Sequence, residues 1–451
     1  MAMKPGQGAS RTTSSGSSSQ ATLAGRIQRL NETSSLDALI DRIRGARVVM
    51  LGEATHGTHE FYTWRAEISK RLIAEHGYSF VAVEGDWPDC YRVNRFVKGM
   101  PDAGSNAYDV LGAFDRWPTW MWANEEVADL ADWMRERNAT RDPDDRAGFF
   151  GLDVYSLWDS MREVVAYLER VDPAAARQAR QAYACFDRFE EDEQAYARAT
   201  LFVPASCEDE TVRTLRELQS RRVRQREEDG RDAFFDAEQN ALVATNAERY
   251  YRAMVQGGSA SWNLRDRHMM ETLDRLLEHH GPDARAIVWE HNTHIGDARY
   301  TDMRRAGMLN IGQLARESYG ETEVALVGFG THRGTVMAGE EWGAPMQVMP
   351  VPPAREDSWE AMLHAAGGGD DLLVLFDGTD NGGIVGLDRV LPHRAIGVVY
   401  DPQMERYGNW VPTLVARRYD AFVYIDESSA VTAIADTSGR MEEMEAFPSG
   451  M

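Results

Sequence analysis

Short apolar runs that stop at a polar residue recur along this chain, and they constrain its fold more than any other feature. Each run has the length of one buried strand, and helical patterns separate most of them. Continuous apolar strands mixed with helices are typical of a mostly parallel sheet that is covered on both faces. We therefore predict an α/β protein with a mostly parallel central sheet and flanking helices. The runs occupy residues 47–51, 80–83, 148–152, 286–289, 324–327, 372–376, 396–399 and 421–425.

The middle of the chain lacks such runs. Between residues 157 and 258, apolar side chains recur at helical spacing amid dense charge, as at Trp158, Met161 and Val165. This pattern predicts an inserted helical lobe, with the active site in the cleft between the lobe and the sheet. The predicted division is a disordered leader at 1–22, the first part of the α/β core at 23–156, the helical lobe at 157–258, the second part of the core at 259–434 and a flexible tail at 435–451.

The charge balance restricts what the protein can bind. Asp and Glu number 72 and Lys and Arg number 49, so the formal net charge is −23. Such a protein repels phosphate backbones and anionic lipid, which argues against nucleic-acid or membrane partners. No apolar run reaches the roughly 20 residues that span a bilayer. The Ser- and Gly-rich start lacks the apolar segment of a secretory signal, so we expect a cytoplasmic protein.

The cysteines support the same compartment. Cys90, Cys185 and Cys207 are odd in number and widely spaced, and the chain has no CxxC pair that would indicate a metal or redox site. A reducing compartment is the simplest interpretation of this pattern. We predict that all three are small side chains of the apolar core.

The first block of candidate functional residues is the turn Gly52-Glu53-Ala54-Thr55-His56-Gly57, which follows the run at 47–51. Its glycines allow a sharp turn between strand and helix, at the edge where α/β proteins bind ligands. An isolated histidine usually just bonds to the backbone, but beside Glu53 at a strand end His56 is a candidate catalytic base. His59 is a weaker candidate, and Arg65 lies in the helix that follows.

A second block, Glu84-Gly85-Asp86-Trp87, follows the run at 80–83. Because the ends of parallel strands meet at one edge of a sheet, Glu84 can face Glu53 and His56. Two carboxylates near one imidazole can raise its pKa and orient its ring, as a general base requires. We interpret Asp86 and Trp87 as turn and wall residues of the substrate site.

A third block, Glu290-His291-Asn292-Thr293-His294, follows the run at 286–289. Two histidines three residues apart can bind a metal ion or act as base and oxyanion donor. The spacing is not HExxH, and the chain has no GxSxG nucleophile elbow. Arg265 in an upstream helix is a candidate cleft residue, with a surface ion pair as an equal alternative. We interpret six further histidines as structural or exposed: His76, His268, His279, His280, His364 and His393.

These blocks, together with Gly397-Val398-Val399-Tyr400-Asp401-Pro402, resemble those of the erythromycin esterase family, in order, over residues 23–434. The resemblance implies an α/β core with a helical lobe, and hydrolysis of a macrolactone ester without a serine nucleophile. It also implies the site: His56 would activate water, Glu53 and Glu84 would orient it, and Arg65 and His291 would complete the site with His294 nearby. The third block resembles that of the broad bacterial subgroup of the family.

The predicted function is therefore hydrolysis of a carboxylic ester, with the macrolactone of erythromycin-type macrolides as a candidate substrate. A metal-dependent hydrolase is one alternative, because Glu53, His56, Glu84, His291 and His294 are suitable ligands for Zn or Mn. A non-catalytic carrier of a macrolide or haem is another, disfavoured because a carrier needs no poised base. We expect no cofactor, with a divalent metal ion as the alternative, and a small-molecule ester as the partner. The candidate substrate contacts are His294, Trp87, Asp86, Arg265 and His59.

Overall fold

The computed structural model describes residues 27–189, 193–200, 206–220, 231–376 and 387–434. Within those ranges nine strands form one sheet, and two more form a short antiparallel ribbon. The sheet contains β1 (Ile27–Arg29), β2 (Val48–Leu51), β3 (Phe80–Asp86), β4 (Gly148–Asp153), β5 (Ala286–Trp289), β6 (Val324–Ala338), β7 (Gln347–Val351), β8 (Leu372–Leu375) and β11 (Ala421–Ser428), and the ribbon contains β9 (Leu391–Arg394) and β10 (Trp410–Thr413).

The centre of the sheet is parallel. The strands lie in the order β1-β8-β11-β6-β2-β5-β3-β4, with β7 paired to β6. Every pair from β11 to β4 is parallel, whereas β1, β7 and β8 are antiparallel additions. Strands β2, β3 and β5 are buried along their whole length, because helices cover both faces. The prediction of a mostly parallel α/β sheet is confirmed.

Helices connect the strands and cover the sheet. In α2, for example, Phe61, Ile68 and Leu72 share one buried face, and the helix ends at Gly77, whose φ of 68° is the left-handed conformation that glycine favours. The helices are α1 (Asp37–Ile43), α2 (His59–His76), α3 (Trp87–Val97), α4 (Ala107–Leu111), α5 (Glu125–Asn138), α6 (Leu157–Val171), α7 (Pro173–Tyr183), α8 (Glu193–Thr200), α9 (Glu208–Ser220), α10 (Arg231–Met254), α11 (Ala260–His280), α12 (Asn292–Ile295), α13 (Ile311–Tyr319), α14 (Trp359–Gly367), α15 (Glu405–Gly408) and α16 (Val415–Arg418).

Helices α6 to α10 follow β4 and form a lobe on the sheet. Their apolar faces share a separate buried cluster that includes Val164, Phe234 and Tyr250. The long helix α10 packs against both α6 and α11, so the lobe is continuous with the core. A stretch of apolar residues at helical spacing therefore forms a helical lobe, as the sequence pattern predicts.

The prediction for the cysteines is wrong in the lobe. Cys185 and Cys207 are joined by a disulfide bond across a separation of 22 residues. Cys90 is buried and unpaired, as predicted. The pair has no signature in the sequence, because tertiary packing of the lobe brings the two thiols together. Disulfides are typical of oxidising compartments, so the cytoplasmic location stays a prediction.

Two apolar runs differ from the prediction. Residues 396–399 are not a strand; within this segment Ile396 and Val399 form isolated bridges to Thr55 and Gly339. The run at 372–376 forms β8, but β8 is antiparallel to β11, so its end points to the opposite edge of the sheet. The predicted leader at 1–22 and tail at 435–451 lie outside the described residues. Across the ranges that the structure describes, no helix is long and apolar enough to cross a membrane.

Candidate active site

The carboxyl ends of β2, β5 and β3 lie side by side. Leu51 in β2 is opposite Trp289 in β5, which is opposite Val83 in β3. The residues that follow these positions therefore meet at one edge of the sheet, which is where ligands bind in α/β proteins. The three blocks identified in the sequence come together at this edge.

Glu53 holds the first block together. Its Oε1 is 3.0 Å from His56 Nδ1, and its Oε2 accepts a 2.8 Å hydrogen bond from Arg65 Nη2. The guanidinium of Arg65 is fully buried and lies 4.3 and 4.8 Å from the ring centroids of Tyr62 and Trp289. Arg65 therefore orients Glu53 from behind.

The contact with Glu53 determines which ring nitrogen of neutral His56 carries the proton. Because a carboxylate only accepts hydrogen bonds, the neutral imidazole carries its proton on Nδ1, and Nε2 is the basic nitrogen. The His56 side chain is only 4% exposed. The Tyr62 hydroxyl fixes the same turn by donating a 2.8 Å hydrogen bond to the His56 carbonyl. This is the arrangement of a general base and its orienting carboxylate.

His291 in the third block faces His56, with 4.9 Å between the ring centroids. Its Nδ1 accepts a 3.3 Å hydrogen bond from the main-chain N–H of Thr293. Burial, and then the positive charge that His56 and His294 can carry, lowers the pKa of His291 well below its usual value, although the nearby Ala54 carbonyl opposes the shift. The neutral ring therefore carries its proton on Nε2. This buried nitrogen has no hydrogen-bond partner of normal geometry within the described chain, so it can donate to a ligand oxygen.

Glu84 and Asp153, near the ends of β3 and β4, share the guanidinium of Arg265 from α11. Arg265 Nη2 is 2.7 Å from both Glu84 Oε1 and Asp153 Oδ2, and Arg265 Nε is 2.9 Å from Asp153 Oδ1. Glu84 Oε2 accepts a 2.8 Å hydrogen bond from the main-chain N–H of His291, which ties the second block to the third. Burial alone would raise the pKa of Asp153, but the Arg265 charge holds it below its usual value. Asp153 is therefore ionised.

His294 lies next to this cluster. Its Nε2 is 3.2 Å from Arg265 Nη1 and 3.4 Å from Glu84 Oε1. Its Nδ1 is 3.0 Å from Asp266 Oδ1, and its ring stacks on Trp262 with 4.3 Å between centroids. The aromatic ring and the carboxylate fix the imidazole on two sides.

Glu290 is a buried acid that was not among the predicted site residues. It is 0% exposed, and neither of its carboxyl oxygens has a hydrogen-bond partner among the described residues. Burial, reinforced by the negative charges of Glu84 and Asp266, raises the pKa of Glu290 well above its usual value. An unpaired ionised carboxylate is costly in such a place, so burial favours the protonated form of Glu290. The strand-end signal that identified Glu84 applies equally to Glu290.

A small cavity lies against the cluster of Glu84, Asp153 and Arg265, and neither His56 nor His291 is among its lining residues. Asp86 and Arg116 form an ion pair at its rim, with 3.0 Å between Arg116 Nη2 and Asp86 Oδ1. Its volume is about 30 Å³, which holds only a few water molecules. Arg116 lies in a loop without a periodic pattern, so nothing in the sequence pointed to it. The floor is polar and the walls are largely aromatic, with contributions from Glu84, Asp153, Arg265, Trp122, Tyr155 and Trp342.

Three of the five candidate substrate contacts do not line this cavity: His294, which packs beside Arg265, and also Trp87 and His59. Trp87 begins α3, is fully buried and donates a 2.8 Å hydrogen bond from Nε1 to Asp236 Oδ1 in the lobe. His59 begins α2, and its Nδ1 is 2.6 Å from Glu126 Oε1. That hydrogen bond raises the pKa of His59. Both side chains are engaged in packing between elements.

The five candidate metal ligands do not form a metal centre. In the part of the chain that the structure describes, no group of three or more His, Cys, Asp or Glu side chains is arranged to hold a metal ion. Arg65 engages the carboxylate of Glu53, and Arg265 engages that of Glu84. Because cations already neutralise both carboxylates, these residues do not fit a metal, and we assign no step to one.

The fold and this edge define a class: an α/β protein that presents a histidine–carboxylate pair and a guanidinium–carboxylate cluster where α/β enzymes hold their substrates. Comparison with known proteins narrows the class. The sequence model described as "Erythromycin esterase" matches residues 73–428, which is more than half of the chain. The chain therefore belongs to the erythromycin esterase family.

Solved structures share this fold. A succinoglycan biosynthesis protein is 18% identical, with a TM-score of 0.75, and the match covers 94% of this chain and 100% of that one. A Bacillus cereus protein is 18% identical, with a TM-score of 0.72 and coverage of 92% and 98%. A mutant of the erythromycin esterase EreC in its open conformation is 17% identical, with a TM-score of 0.66 and coverage of 92% and 98%. At these identities the likeness shows the fold alone.

A curated relative points in the same direction. The Bacillus subtilis (strain 168) protein named "Putative hydrolase YbfO" is 27% identical over 135 residues. The match covers 30% of this chain and 28% of the relative, so it spans less than a third of either protein. The family and the name of this relative together support a hydrolase.

Proposed function

We propose that this protein is an esterase in which His56 activates a water molecule for attack on an ester carbonyl. The observation that carries the proposal is a facing pair of histidines with opposite roles. His56 has a basic Nε2 because its Nδ1 bonds to Glu53, and His291 has a buried Nε2–H that makes no hydrogen bond of normal geometry with the described residues, although the Ala54 carbonyl lies near this ring. One ring can take a proton from water while the other donates to an oxyanion.

These groups account for each proton transfer in the proposed reaction. His56 Nε2 takes a proton from water as the water oxygen bonds to the carbonyl carbon. The negative charge on the carbonyl oxygen is stabilised by His291 Nε2–H, and one such donor is typically worth about 3 kcal/mol of barrier. When the ester C–O bond breaks, the imidazolium returns the proton to the leaving alkoxide. One water is consumed, and one acid and one alcohol are formed.

The other charged residues have distinct parts in this proposal. Arg65 acts through Glu53 and is a positioning residue, because its guanidinium bonds to the carboxylate behind His56. Arg265 lines the cavity and can contact the substrate directly. Its bonds to Glu84 and Asp153 keep the guanidinium in place, and Glu84 in turn holds the main chain of His291.

The size of the cavity bears on the substrate. The cavity beside Glu84 and Arg265 has a volume of about 30 Å³, which is too small for the body of a macrolide. Hydrolysis of a macrolactone would therefore require the rim around Asp86 and Arg116 to open, and the fold relative EreC is known in an open conformation. We propose small esters as the first substrates to test and macrolides as the second.

Mass spectrometry of a substrate panel tests the function. The protein is incubated with aryl esters and with macrolides in H₂¹⁸O, and we expect at least one ester to gain one water. Direct attack by water places ¹⁸O in the acid in the first turnover, whereas attack by a carboxylate of the protein would place the protein's own oxygen there. His56→Asn, which lacks the basic Nε2, is the control and should form product about 10²–10⁴-fold more slowly. A panel in which no ester gains water would contradict the proposal.

The alternatives predict different outcomes in the same assay. A carrier would bind a ligand without any gain of mass. A metal-dependent hydrolase would lose activity with a chelator and regain it with Zn or Mn, in protein prepared without a His tag. Arg65 and Arg265 already pair with Glu53 and Glu84, which argues against a metal ion at these carboxylates. We therefore expect activity to survive the chelator.

A further inference from the structure

One short segment of the chain contacts both the turn that contains His56 and the turn that contains His291. It runs from β9 to Ile396, and none of its side chains lines the cavity. At one end, Ile396 N donates a 2.8 Å hydrogen bond to the Ala54 carbonyl, between Glu53 and His56. At the other end, His393 reaches Asn292, which separates His291 from the rest of α12. The segment therefore contacts both sides of the facing histidine pair.

His393 forms a second buried histidine–carboxylate pair. Its Nδ1 is 2.6 Å from Glu360 Oε1, and its Nε2 is 3.2 Å from Asn292 Nδ2. All three residues are at most 1% exposed. Burial, which outweighs the effect of Glu360, lowers the pKa of His393, so its ring is neutral. The ring then donates from Nδ1 to the carboxylate and accepts from the amide at Nε2.

Asn292 connects His393 to the turns that contain His56 and His291. Its Nδ2 also donates to the Phe329 carbonyl at 2.6 Å, and its main-chain N–H donates to the Glu53 carbonyl at 2.8 Å. Gly52 allows this close approach, because a Cβ atom at that position would collide with Asn292 Oδ1. Asn292 thus joins the His56 turn to the His291 turn at their base.

The rest of the segment is anchored to β6. Arg394 is fully buried, and its Nη1 donates to the carbonyls of Thr331 and His332, both at 2.9 Å. Its Nε donates to Glu405 Oε1 at 2.8 Å, and its main-chain N–H donates to Glu360 Oε1 at 3.0 Å. Glu360 Oε1 therefore receives two donors from adjacent residues, which fixes the position of His393 relative to the sheet.

We propose that His393 is a positioning residue that sets the distance between His56 and His291 through Asn292. The expected fall in kcat rests on the proposed esterase function, whereas the expected change in the distance between His56 and His291 does not. A displacement of about 1 Å in an active site can cost 100-fold in rate, so the loss of this contact should lower kcat more than it changes KM.

Variants of His393 test the kinetic consequence. His393→Leu fills the space but bonds to neither partner, and we expect kcat to fall about 10–100-fold with KM changed less than about 3-fold. His393→Gln can donate to Glu360 and accept from Asn292, so it should restore kcat to within about 5-fold of wild type. If His393→Leu does not fold, His393→Asn, which is too short to bridge both partners, takes its place.

Glu405→Gln is the matched control. It removes a buried charge that contacts the segment through Arg394, but its amide oxygen can still accept from Arg394, and Arg394 keeps its bonds to the carbonyls of β6. We expect a lower Tm with an unchanged kcat. A His393→Leu or His393→Asn protein that is folded and has the kcat of wild type would overturn the proposal.

A crystal structure separates failure of the proposal from failure of the proposed function. In His393→Leu or His393→Asn we expect α12 to shift and the 4.9 Å distance between the His56 and His291 ring centroids to change, with no shift in Glu405→Gln. An unmoved α12 would overturn the positioning role. If no ester is hydrolysed by the wild type, this structural outcome still decides the role of His393.

Discussion

Two histidine–carboxylate pairs lie at opposite edges of the same sheet; the first is buried, and in the second only the histidine is buried. At the carboxyl edge, His56 Nδ1 is 3.0 Å from Glu53 Oε1. At the amino edge, His279 Nε2 is 2.9 Å from Asp232 Oδ1. The residue types and distances are nearly the same, so the pairing alone does not distinguish a catalytic histidine from a structural one.

Their surroundings distinguish them. His56 lies in a glycine-flanked turn at the carboxyl edge of the sheet and faces the ring of His291, with 4.9 Å between the ring centroids. His279 lies at the end of α11, its ring stacked on Phe235 with 4.0 Å between centroids, and Asp232 also contacts Lys98 Nζ at 3.4 Å. The amino-edge pair joins the lobe helix α10 to the core. A ligand edge and an opposing donor are the features on which we propose catalysis for the first pair and a stabilising role for the second.

The largest effect should come from the cation of the carboxyl edge. Arg265→Met leaves Glu84 and Asp153 buried without their partner, which typically costs about 3–5 kcal/mol of unfolding free energy, and it should abolish hydrolysis. Lys98→Met is the control at the amino edge, where the partner Asp232 is 37% exposed and the loss should be much smaller. Urea denaturation of both variants measures the difference. Equal losses of unfolding free energy in the two variants would contradict the view that the buried charges at the carboxyl edge depend more on their partner.

The next effect concerns the orienting carboxylate. Glu53→Gln keeps the shape of the side chain but no longer fixes the proton of His56 on Nδ1, so we expect kcat/KM to fall by about 10²–10⁴-fold. Stability should also fall, because the fully buried Arg65 loses its anionic partner. Ester hydrolysis under identical conditions checks this prediction. A value within 3-fold of wild type would show that Glu53 is not needed to orient the base.

Acid should act on folding mainly through buried histidines outside the active site. Burial lowers the pKa of His268 to about 4 and that of His280, next to the amino-edge pair, to about 3. Below the unfolded value near 6.5 the unfolded chain binds more protons, so each histidine removes up to about 1.4 kcal/mol of stability per pH unit, down to its folded pKa. Denaturation at pH 7.5 to 4.5 should follow this fall, and His280→Gln should flatten it. Buried acids with raised pKa values, such as Glu290, act in the opposite direction, so the test is the difference between variant and wild type: a His280→Gln protein whose stability depends on pH as steeply as that of wild type would refute the assignment.

The smallest effect should come from the amino-edge carboxylate. Asp232→Asn weakens the contacts with His279 and Lys98, but the aspartate is partly exposed, so we expect a loss of only about 1 kcal/mol. The kcat of the variant should equal that of wild type, because the pair lies at the far edge of the sheet. A fall of 10-fold or more in kcat would mean that the two edges are coupled.

The central part of the fold was predictable because its signal is local. A buried parallel strand is a short apolar run, and its polar end residue marks the ligand edge, which is how Glu53, Glu84 and His291 were brought to one place. Residues 396–399 show the limit of this signal. They are as apolar as a strand, but they bridge to Thr55 and Gly339 without joining the sheet.

The site was less predictable where it depends on tertiary packing. Trp87 follows a strand that continues to Asp86 with a register shift, so its side chain goes to Asp236 in the lobe, 149 residues away in sequence. Arg116 reaches the rim from an irregular loop. His393 has an unremarkable sequence setting, and only the fold brings it to Asn292. Contacts between residues that are far apart in the sequence produce no periodic pattern that would reveal them.

The most direct test is to measure kcat/KM for His56→Asn and His279→Asn side by side, on an ester that the wild type hydrolyses. The account predicts that His56→Asn loses about 10²–10⁴-fold in kcat/KM with a Tm near that of wild type, as expected for the loss of a general base. It predicts that His279→Asn lowers Tm and leaves kcat/KM unchanged. A folded His56→Asn protein with the turnover of wild type would contradict it.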